Sequence, residues 1–273
     1  HLNRAFLCEE IVVNHYEQKE AAIITSRGCM YNCAFCGGAR SLNHDITIRQ
    51  RKPQDVASEI KEIMVSHPDV VCIRVLDDLF LRDAGNMINA INIFNGFKNL
   101  NWRGMAHVLS FIRSFDLLDS LKDSGCRELF LGIESGSERI RKHINKVGTV
   151  DQILTVVTAI LKAGIDVKGY FIYGFPTETE EDFDATYQLA ASLKKISINT
   201  RGSFRSSVFQ FRPYHGTQLY KEIMESGQKI DSITSNPSIS NIKGRSQFNF
   251  ESGNYSLVSD EVLNNFILET QQL

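Results

Sequence analysis

Six strand-like runs that alternate with helical patterns are the feature that most constrains the fold of this 273-residue chain. The runs are residues 21–26, 70–76, 102–108, 128–133, 167–173 and 207–211. Helical patterns cover residues 53–66, 84–97, 115–124, 151–163, 180–195, 217–226 and 257–271. A parallel neighbour can be reached only through a long crossover, so this alternation predicts parallel strands covered by helices.

Six such units are two fewer than a closed (β/α)8 barrel requires. The predicted fold is therefore α/β, a partial (β/α)6 TIM-like barrel with a C-terminal irregular and helical extension. A Rossmann sheet is the alternative, but no G-x-G-x-x-G joins a strand to its helix. We expect a lead-in over residues 1–20, the barrel over 21–226, and an extension over 227–273 that serves as a substrate lid or a packing segment.

Charge and hydropathy exclude two classes of partner. The formal net charge is −2, which disfavours a nucleic-acid substrate because phosphate binding needs a basic surface. No apolar run approaches the ~18–20 residues of a membrane helix, and no signal-peptide pattern opens the chain. We expect a cytoplasmic protein without a membrane partner.

A cluster of cysteines follows the first strand. Cys29, Cys33 and Cys36 lie within one short loop. A [4Fe-4S] cluster normally takes four thiolates, so three would leave one iron open for reaction. Zinc is the alternative, but closed zinc sites need four ligands and no second pair completes one. The remaining cysteines are interpreted as small hydrophobic residues, namely Cys8, Cys72 and Cys126.

The cysteine spacing C-x3-C-x2-C, with the aromatic Phe35 before the last cysteine, resembles the hallmark of the radical S-adenosylmethionine (SAM) superfamily. The resemblance covers about residues 21–220. It implies a partial barrel, a [4Fe-4S] cluster, and SAM bound to the open iron through its amino and carboxylate groups. It also implies reductive cleavage of SAM to methionine and a 5′-deoxyadenosyl radical that removes a hydrogen atom from the substrate.

Further motifs of the same resemblance follow the later strands. Asp77 and Asp78 stand where many members carry a Gly-Gly-Glu that binds the SAM amino group, and capping of the next helix is an equal alternative. The stretch G-I-E-S-G-S contains Glu134 and Ser135, which the resemblance directs to SAM polar groups. Lys146 is implied to hold the methionine carboxylate, or else is a solvated helix end.

The fifth and sixth strands resemble the family's adenine-lining and P-x-P-G-T regions. Because strand C-termini share one rim of an α/β barrel, these segments are expected to converge. The implied cofactor-contacting residues are Phe35, Gly37, Asp77, Asp78, Glu134, Ser135, Lys146, Phe171, Gly174 and Pro213. Candidate substrate contacts at the same rim are His107, Tyr170, Tyr173, Arg212, Tyr214 and His215. Arg212 would suit a carboxylate or phosphate.

The favoured hypothesis is a radical SAM enzyme acting on a small-molecule or carrier-bound metabolite, with flavodoxin or ferredoxin as reductant. The motif variants most resemble the branch of cobalamin-dependent methyltransferases and methylthiotransferases. The D-x-H-x-x-G motif is absent, so cobalamin is possible but not supported by the residues present. One alternative is therefore the core of a cobalamin-dependent radical SAM methyltransferase whose upstream domain is missing. Two other functions stay open, a non-catalytic iron–sulfur module for electron transfer or sensing and a zinc-stabilised barrel with polar catalysis.

Overall fold

A seven-stranded sheet is the centre of the part described by this computed structural model, residues 12–42, 48–228 and 253–273. With strands numbered along the chain, the strand order in this sheet is β1-β2-β5-β6-β7-β8-β9, and β3 and β4 form a separate two-stranded sheet. The strands are β1 (Val12–Val13), β2 (Lys19–Ile23), β3 (Ser26–Arg27), β4 (Arg49–Gln50), β5 (Cys72–Val75), β6 (Asn101–Ala106), β7 (Cys126–Glu134), β8 (Asp166–Tyr173) and β9 (Phe204–Gln210). Within the seven-stranded sheet every neighbouring pair from β2 through β5, β6, β7 and β8 to β9 is parallel, whereas β3 and β4 pair antiparallel. The predicted partial TIM-like barrel is confirmed.

Helices follow the strands and cover the convex face of the sheet. They are α1 (Pro53–Ser66), α2 (Ala84–Phe94), α3 (Leu118–Asp123), α4 (Glu138–His143), α5 (Val150–Lys162), α6 (Glu180–Ile198), α7 (Gln218–Glu225) and α8 (Asp260–Gln272). The predicted 115–124 helix begins as a 3₁₀ turn, Phe115–Leu117. The sequence prediction missed α4, because six residues are too few to show helical periodicity.

Strand alternation decides which side chains reach the barrel interior. On β8, Val167 and Phe171 are buried under the helices, whereas Lys168 and Tyr170 lie on the concave face. Tyr170 contacts Phe130 of β7 across that face, with ring centroids 6.3 Å apart. The interior of the half-barrel is therefore lined by every second residue of each strand.

This alternation corrects two sequence predictions. Phe171 was expected to line the adenine, but its ring packs on Phe204 in the helix-covered core. Tyr173 was expected at the substrate mouth, but it is fully buried and its hydroxyl lies 2.8 Å from Oγ1 of Thr270 on α8. Both residues lie near a strand end but on the convex side.

The two terminal segments pack on opposite parts of the barrel. Helix α8 lies against α6 and β9, and its Leu263 belongs to the main core. At the other end, β1 pairs antiparallel with β2, and the Tyr16 hydroxyl then donates to Oδ2 of Asp166 at 2.6 Å. The sequence prediction did not include β1. Residues 229–252 of the expected extension, like Cys8, lie outside the described residues.

A buried ionic network closes the amino-terminal end of the barrel. Arg103 donates to both carboxylate oxygens of Glu20 at 2.7 Å and to Oε2 of Glu128 at 2.8 Å. Arg205 donates to the two oxygens of Glu128 at 2.6 and 3.0 Å. Two guanidinium groups and two carboxylates balance one another, which offsets their removal from water. Among the described helices, none is both long and apolar enough to cross a membrane.

Candidate active site

The cysteine loop is fixed at the carboxyl-terminal rim of the barrel by backbone contacts. The Ala34 N–H donates to the Ile144 carbonyl at 2.8 Å, beyond the end of α4. Asn145 donates to the carbonyl of Asn32 at 2.7 Å, and the Leu219 N–H of α7 donates to the Ala34 carbonyl at 3.1 Å. These bonds come from elements far apart in sequence, so the loop conformation depends on the assembled fold.

The three predicted cluster ligands share this loop as free thiols. Burial raises the pKa of Cys33 to about 11 and also raises that of Cys36. The Gly38 N–H lies 3.3 Å from Sγ of Cys36, as a donor to that sulfur. Buried thiolates need nearby positive charge, which iron supplies in a cluster.

Zinc fits this arrangement poorly. A closed zinc site takes four protein ligands, whereas this loop supplies three thiols. Three partly buried thiols on one fixed loop fit a multi-iron cluster better than a closed tetrahedral zinc site.

A buried ion pair lies beside the cysteines. Nζ of Lys146 is 3.0 Å from Oε1 of Glu134, and the two side chains are only 8% and 9% exposed. Both charges act on the pKa of Cys33, which Lys146 lowers and Glu134 raises. Lys146 is thus not a solvated helix end. The pair brings a cation and an anion to the predicted cluster.

The backbone around Glu134 is shaped to hold this pair. Glu134 has φ of 66°, and the β7–β8 register shifts between Gly132 and Glu134. A Cβ atom on Gly132 would lie 2.4 Å from Oε1 of Glu134 and 2.9 Å from Nζ of Lys146. A side chain at Gly132 would force the ends of both side chains to shift, so glycine leaves room for the pair.

Arg141 of α4 is a positioning residue that sequence reasoning missed. Its buried guanidinium donates to the carbonyls of Ile133 at 2.6 Å and Ser135 at 3.0 Å, which flank Glu134. It also donates to the carbonyls of Gly148 at 2.8 Å and Val147 at 3.2 Å, next to Lys146. One side chain therefore fixes the two segments that carry the ion pair. A basic run in a short helix gave no signal of this burial.

Ser135 is engaged elsewhere. Its side chain is fully buried, its Oγ is 3.1 Å from Oγ1 of Thr186 on α6, and it accepts from the Ser137 N–H at 3.1 Å. The expected contact between this hydroxyl and SAM is corrected, because the hydroxyl fastens the end of β7 to α6.

The two aspartates after β5 have different surroundings. Asp77 is buried, and its carboxylate accepts from the Thr25 N–H and hydroxyl and from the Ser26 hydroxyl. Asp78 accepts from the Gly28 N–H at 2.9 Å and is otherwise exposed. The helix-capping alternative is wrong, because Asp83 caps α2. Of the two carboxylates, Asp78 is the one accessible to a ligand.

An open pocket of about 380 Å³ adjoins the cysteine loop. Its wall includes Cys29, Gly37, Gly38, Asp78, Arg27 and Leu76. Gly37 has no atom within 4 Å of the position its Cβ would take, so its backbone faces open space.

Aromatic residues pack against Phe35 of the cysteine loop. The ring of Phe35 lies 5.6 Å from that of Phe175, which in turn lies 5.0 Å from Phe211. Gly174, with φ of 95°, precedes Phe175, and Pro213 is buried just beyond Phe211. The structure therefore brings Phe35, Gly174 and Pro213 into one neighbourhood.

Glu178 supports this neighbourhood and was also missed. Its Oε2 accepts from the Gly174 N–H at 2.7 Å and from the Phe175 N–H at 2.8 Å. Burial raises the pKa of Glu178 to about 8 against the opposing effect of these two bonds. A carboxyl group thus holds the loop after β8.

His107 is a buried residue at the end of β6. Its ring stacks on Tyr31 of the cysteine loop with centroids 4.1 Å apart, and its Nδ1 accepts from the Leu109 N–H at 3.1 Å. Burial, with Lys146 and Arg141, lowers the pKa of His107 to about 3, so the ring is neutral. The proton then sits on Nε2, which has no acceptor among the described residues.

The remaining candidate substrate residues do not form one group. Tyr170 lies on the concave face, whereas Tyr214 is 51% exposed on the loop after β9. The guanidinium of Arg212 lies 5.8 Å from the centroid of the Tyr214 ring. His215 packs on Tyr220 of α7 with centroids 4.9 Å apart, as expected of a loop residue.

A half-barrel with three cysteines at its carboxyl-terminal rim, next to a buried acid–base pair, defines an iron–sulfur enzyme of the partial TIM-barrel class. The pattern that defines the Radical SAM superfamily matches residues 23–190, and the chain belongs to that superfamily. The family implies a [4Fe-4S] cluster and SAM, for which the thiols and the rim residues above provide fitting groups.

Related sequences carry methyltransferase names. An uncharacterized methyltransferase of Pyrococcus horikoshii is 30% identical over 202 residues, covering 73% of this chain and 41% of that protein. The cytidylyl-2-hydroxyethylphosphonate methyltransferase of Streptomyces wedmorensis is 26% identical over 217 residues, covering 75% and 38%. The chain thus spans about two fifths of the length of these relatives.

Two solved structures share the fold. The radical S-adenosylmethionine methyltransferase TsrM of Kitasatospora setae, with cobalamin and a [4Fe-4S] cluster bound, gives a TM-score of 0.68 at 16% identity, covering 94% of this chain and 51% of that chain. The cobalamin-dependent S-adenosylmethionine radical enzyme OxsB gives 0.65 at 14% identity, covering 90% and 40%.

Proposed function

We propose that this chain is the catalytic core of an enzyme that cleaves SAM reductively and removes a hydrogen atom from a small-molecule or carrier-bound substrate. The single observation that carries the proposal is the buried Glu134–Lys146 pair beside the cysteine loop. When bound, the cluster supplies one electron to the sulfonium of SAM. The products are methionine and a 5′-deoxyadenosyl radical, which becomes 5′-deoxyadenosine by taking hydrogen from the substrate.

The residues at the rim complement the two ends of SAM. Cys29, Cys33 and Cys36 hold the cluster in this proposal, and Glu134 and Lys146 meet the polar groups of the methionine and ribose. A carboxylate and an ammonium that are already desolvated form stronger charge-assisted bonds than exposed ones. The aromatic neighbourhood of Phe35, Gly174 and Pro213 is the proposed adenine side.

The substrate occupies the concave face of the half-barrel, below the rim. Tyr170 lies on that face, and the neutral His107 offers its Nε2–H at the upper edge. Burial of this donor is compensated when a ligand oxygen or nitrogen accepts from it. His107 therefore orients SAM or substrate rather than carrying a proton.

The decisive experiment is anaerobic reconstitution with iron and sulfide, followed by reduction in the presence of SAM. We expect 5′-deoxyadenosine and methionine in equal amounts, measured by liquid chromatography and mass spectrometry. The Cys33→Ala variant is the negative control. An intact, reducible cluster that yields no 5′-deoxyadenosine would contradict the proposal and favour the electron-transfer or sensing module.

Cobalamin-dependent methyl transfer is the second candidate, because the relatives are named methyltransferases and the chain matches only about two fifths of their length. In that case a cobalamin site would be contributed by residues beyond this core. Reaction with SAM bearing a deuterated methyl group distinguishes methyl transfer from hydrogen abstraction alone. A labelled methyl group in the product supports transfer, and its absence with 5′-deoxyadenosine formed supports hydrogen abstraction alone.

The electron is proposed to come from flavodoxin or ferredoxin in the cytoplasm. Arg27 and Arg49 face each other across the β3–β4 ribbon, and Arg27 shares the pocket wall with Cys29. Adjacent like charges favour an acidic partner. Cluster reduction by flavodoxin should therefore slow as salt rises, and a rate that does not depend on salt would contradict this assignment.

A further inference from the structure

The concave face has a second layer between the ionic network and the Glu134–Lys146 pair. The network below consists of Glu20, Arg103, Glu128 and Arg205 and is balanced in charge. Two further cations adjoin that network: Arg74 of β5 is the register partner of Arg103, and Lys168 of β8 is the register partner of Arg205. This layer therefore adds positive charge beside a network that is itself balanced.

Arg74 has contacts that leave its polar edge available. Its guanidinium carbon lies 5.3 Å from the centroid of the Phe130 ring, so the ring supports the plane of the group. Its Nε is buried and donates to no acceptor among the described residues, which also provide no ion-pair partner for it. A buried guanidinium N–H without an acceptor is costly, and an oxyanion would remove that cost.

Aromatic rings continue from Arg74 across the same face. The centroids of Phe130 and Tyr170 are 6.3 Å apart, and those of Tyr170 and Phe209 are 5.8 Å apart. Nζ of Lys168 lies 4.8 Å from the centroid of Tyr170. Three neighbouring strands thus present a band of rings with cations lying against it, Arg74 and Arg103 at Phe130 and Lys168 at Tyr170. Such a surface suits a flat apolar group with an acidic substituent.

The layer is open to a ligand from the rim. Leu76, which follows β5 two positions after Arg74, is 49% exposed, and the exposed Ala22 of β2 is the register partner of Arg74. Apolar residues in the interior of a half-barrel are covered only if something occupies the space above them. Leu76 also lines the pocket beside the cysteine loop.

We propose that this layer binds the substrate through a carboxylate or phosphate held by Arg74, with an apolar, flat part of the substrate on Phe130, Tyr170 and Phe209. The inference rests on the proposed function, since it locates the substrate of that site. Bidentate oxyanion binding by Arg74 fixes one end of the molecule, and the other end points to the rim where SAM is cleaved.

Binding of small probes to the cluster-loaded, SAM-saturated protein tests this by isothermal titration calorimetry. Phenyl phosphate and benzoate are the anionic probes, and benzyl alcohol is the neutral control. We expect one or both anions to bind at least about tenfold more tightly than benzyl alcohol, and their binding to weaken with salt. The tighter of the two anions distinguishes a phosphate from a carboxylate.

Three variants make the result specific. Arg74→Gln should weaken the favoured anion at least about tenfold, Arg74→Lys should recover part of the loss, and the exposed Arg201→Gln should bind like the unmodified protein. SAM affinity and the circular dichroism spectrum should stay unchanged in all three. Equal binding of anionic and neutral probes, or full anion affinity in Arg74→Gln, would overturn the proposal.

The proposed function and this inference fail in different ways. A protein with an intact cluster that does not cleave SAM would contradict the proposed function. Binding of the probes does not require turnover, so it tests the inference separately. If Arg74→Gln does not fold, the comparison of anionic and neutral probes on the unmodified protein still decides the matter.

Discussion

Nζ of Lys146 lies 3.0 Å from Oε1 of Glu134, and both groups are more than nine-tenths removed from solvent. Glu134 ends β7, and Lys146 follows α4, so the partners are twelve positions apart in the sequence. The pair is held from both sides by Arg141, whose guanidinium binds the carbonyls next to each partner. Two desolvated, opposite charges are thereby fixed beside the thiols before any ligand arrives.

Replacing Glu134 with glutamine should weaken SAM binding without loss of the cluster. Lys146 would keep its charge but lose its ionic partner, at a cost of about 1–3 kcal/mol, or roughly 5- to 150-fold in affinity. Equilibrium dialysis with labelled SAM measures this, with iron content as a second readout. The exposed Glu225→Gln is the matched control. Unchanged SAM affinity in Glu134→Gln would remove Glu134 from the site.

Each of the three loop cysteines should be required for cluster assembly. Alanine at Cys29, Cys33 or Cys36 leaves two thiolates, which cannot hold a cube of four irons firmly. Iron and sulfide analysis and the visible absorption spectrum after reconstitution test this. Cys126→Ala, a change at a buried strand cysteine, should retain full cluster content. A cluster of normal spectrum in any of the three loop variants would refute the assignment.

Arg141 should contribute to both stability and SAM binding. In Arg141→Met the buried carbonyls of Ile133, Ser135 and Gly148 lose a donor, which should lower the free energy of unfolding by about 2–4 kcal/mol. The Arg141→Lys variant should not recover the lost stability, because a single ammonium group cannot reach the carbonyls after β7 and those after α4 at the same time. Urea denaturation compares these variants with the exposed Lys142→Met. If Arg141→Met and Arg141→Lys were as stable as Lys142→Met, the positioning role of Arg141 would be contradicted.

Glu178 should make stability depend on pH. Its folded pKa is raised by burial to about 8 from the usual 4.5, so the folded state binds the proton more tightly. The stabilisation is complete below about pH 4.5 and is lost as pH rises through 8, by an amount on the order of a few kcal/mol.

Glu178→Gln should flatten that dependence. Thermal unfolding of the reconstituted protein from about pH 6 to about pH 9 measures it, because the amide keeps an acceptor but no longer titrates. The exposed Glu180→Gln should behave like the unmodified protein. If Glu178→Gln loses stability with rising pH as steeply as the unmodified protein, the dependence arises from another group.

The sequence predicted the fold because its signals are local. Six parallel strands lie where the apolar runs place them. Helix α1 begins at its proline, Pro53, and α6 begins at the capping box of Thr179 and Asp182. The cysteine spacing was also local, since three ligands on one loop can be recognised without knowing what surrounds them. Other element boundaries moved by up to three residues, as at α2, which ends at Phe94 instead of 97.

The site was predicted less completely, because proximity to a strand end does not determine the direction of a side chain. Phe171 and Tyr173 lie at the correct rim but on the helix-covered face, whereas Tyr170 lies on the concave face. Arg141 and Glu178 act through contacts with backbone groups of other segments, and no pattern in their own neighbourhood predicts those contacts.

The amino-acid sequence alone determined the order of strands and helices, the half-barrel class and the position of the three cysteines on one loop. Only the tertiary structure decided which residues face the interior and that Glu134 and Lys146 form an ion pair. It also decided that the Asp77 carboxylate is engaged by hydrogen bonds within the protein, whereas that of Asp78 is accessible. Periodicity and spacing depend on neighbours along the chain, whereas burial and charge pairing depend on groups that meet only after the strands have assembled.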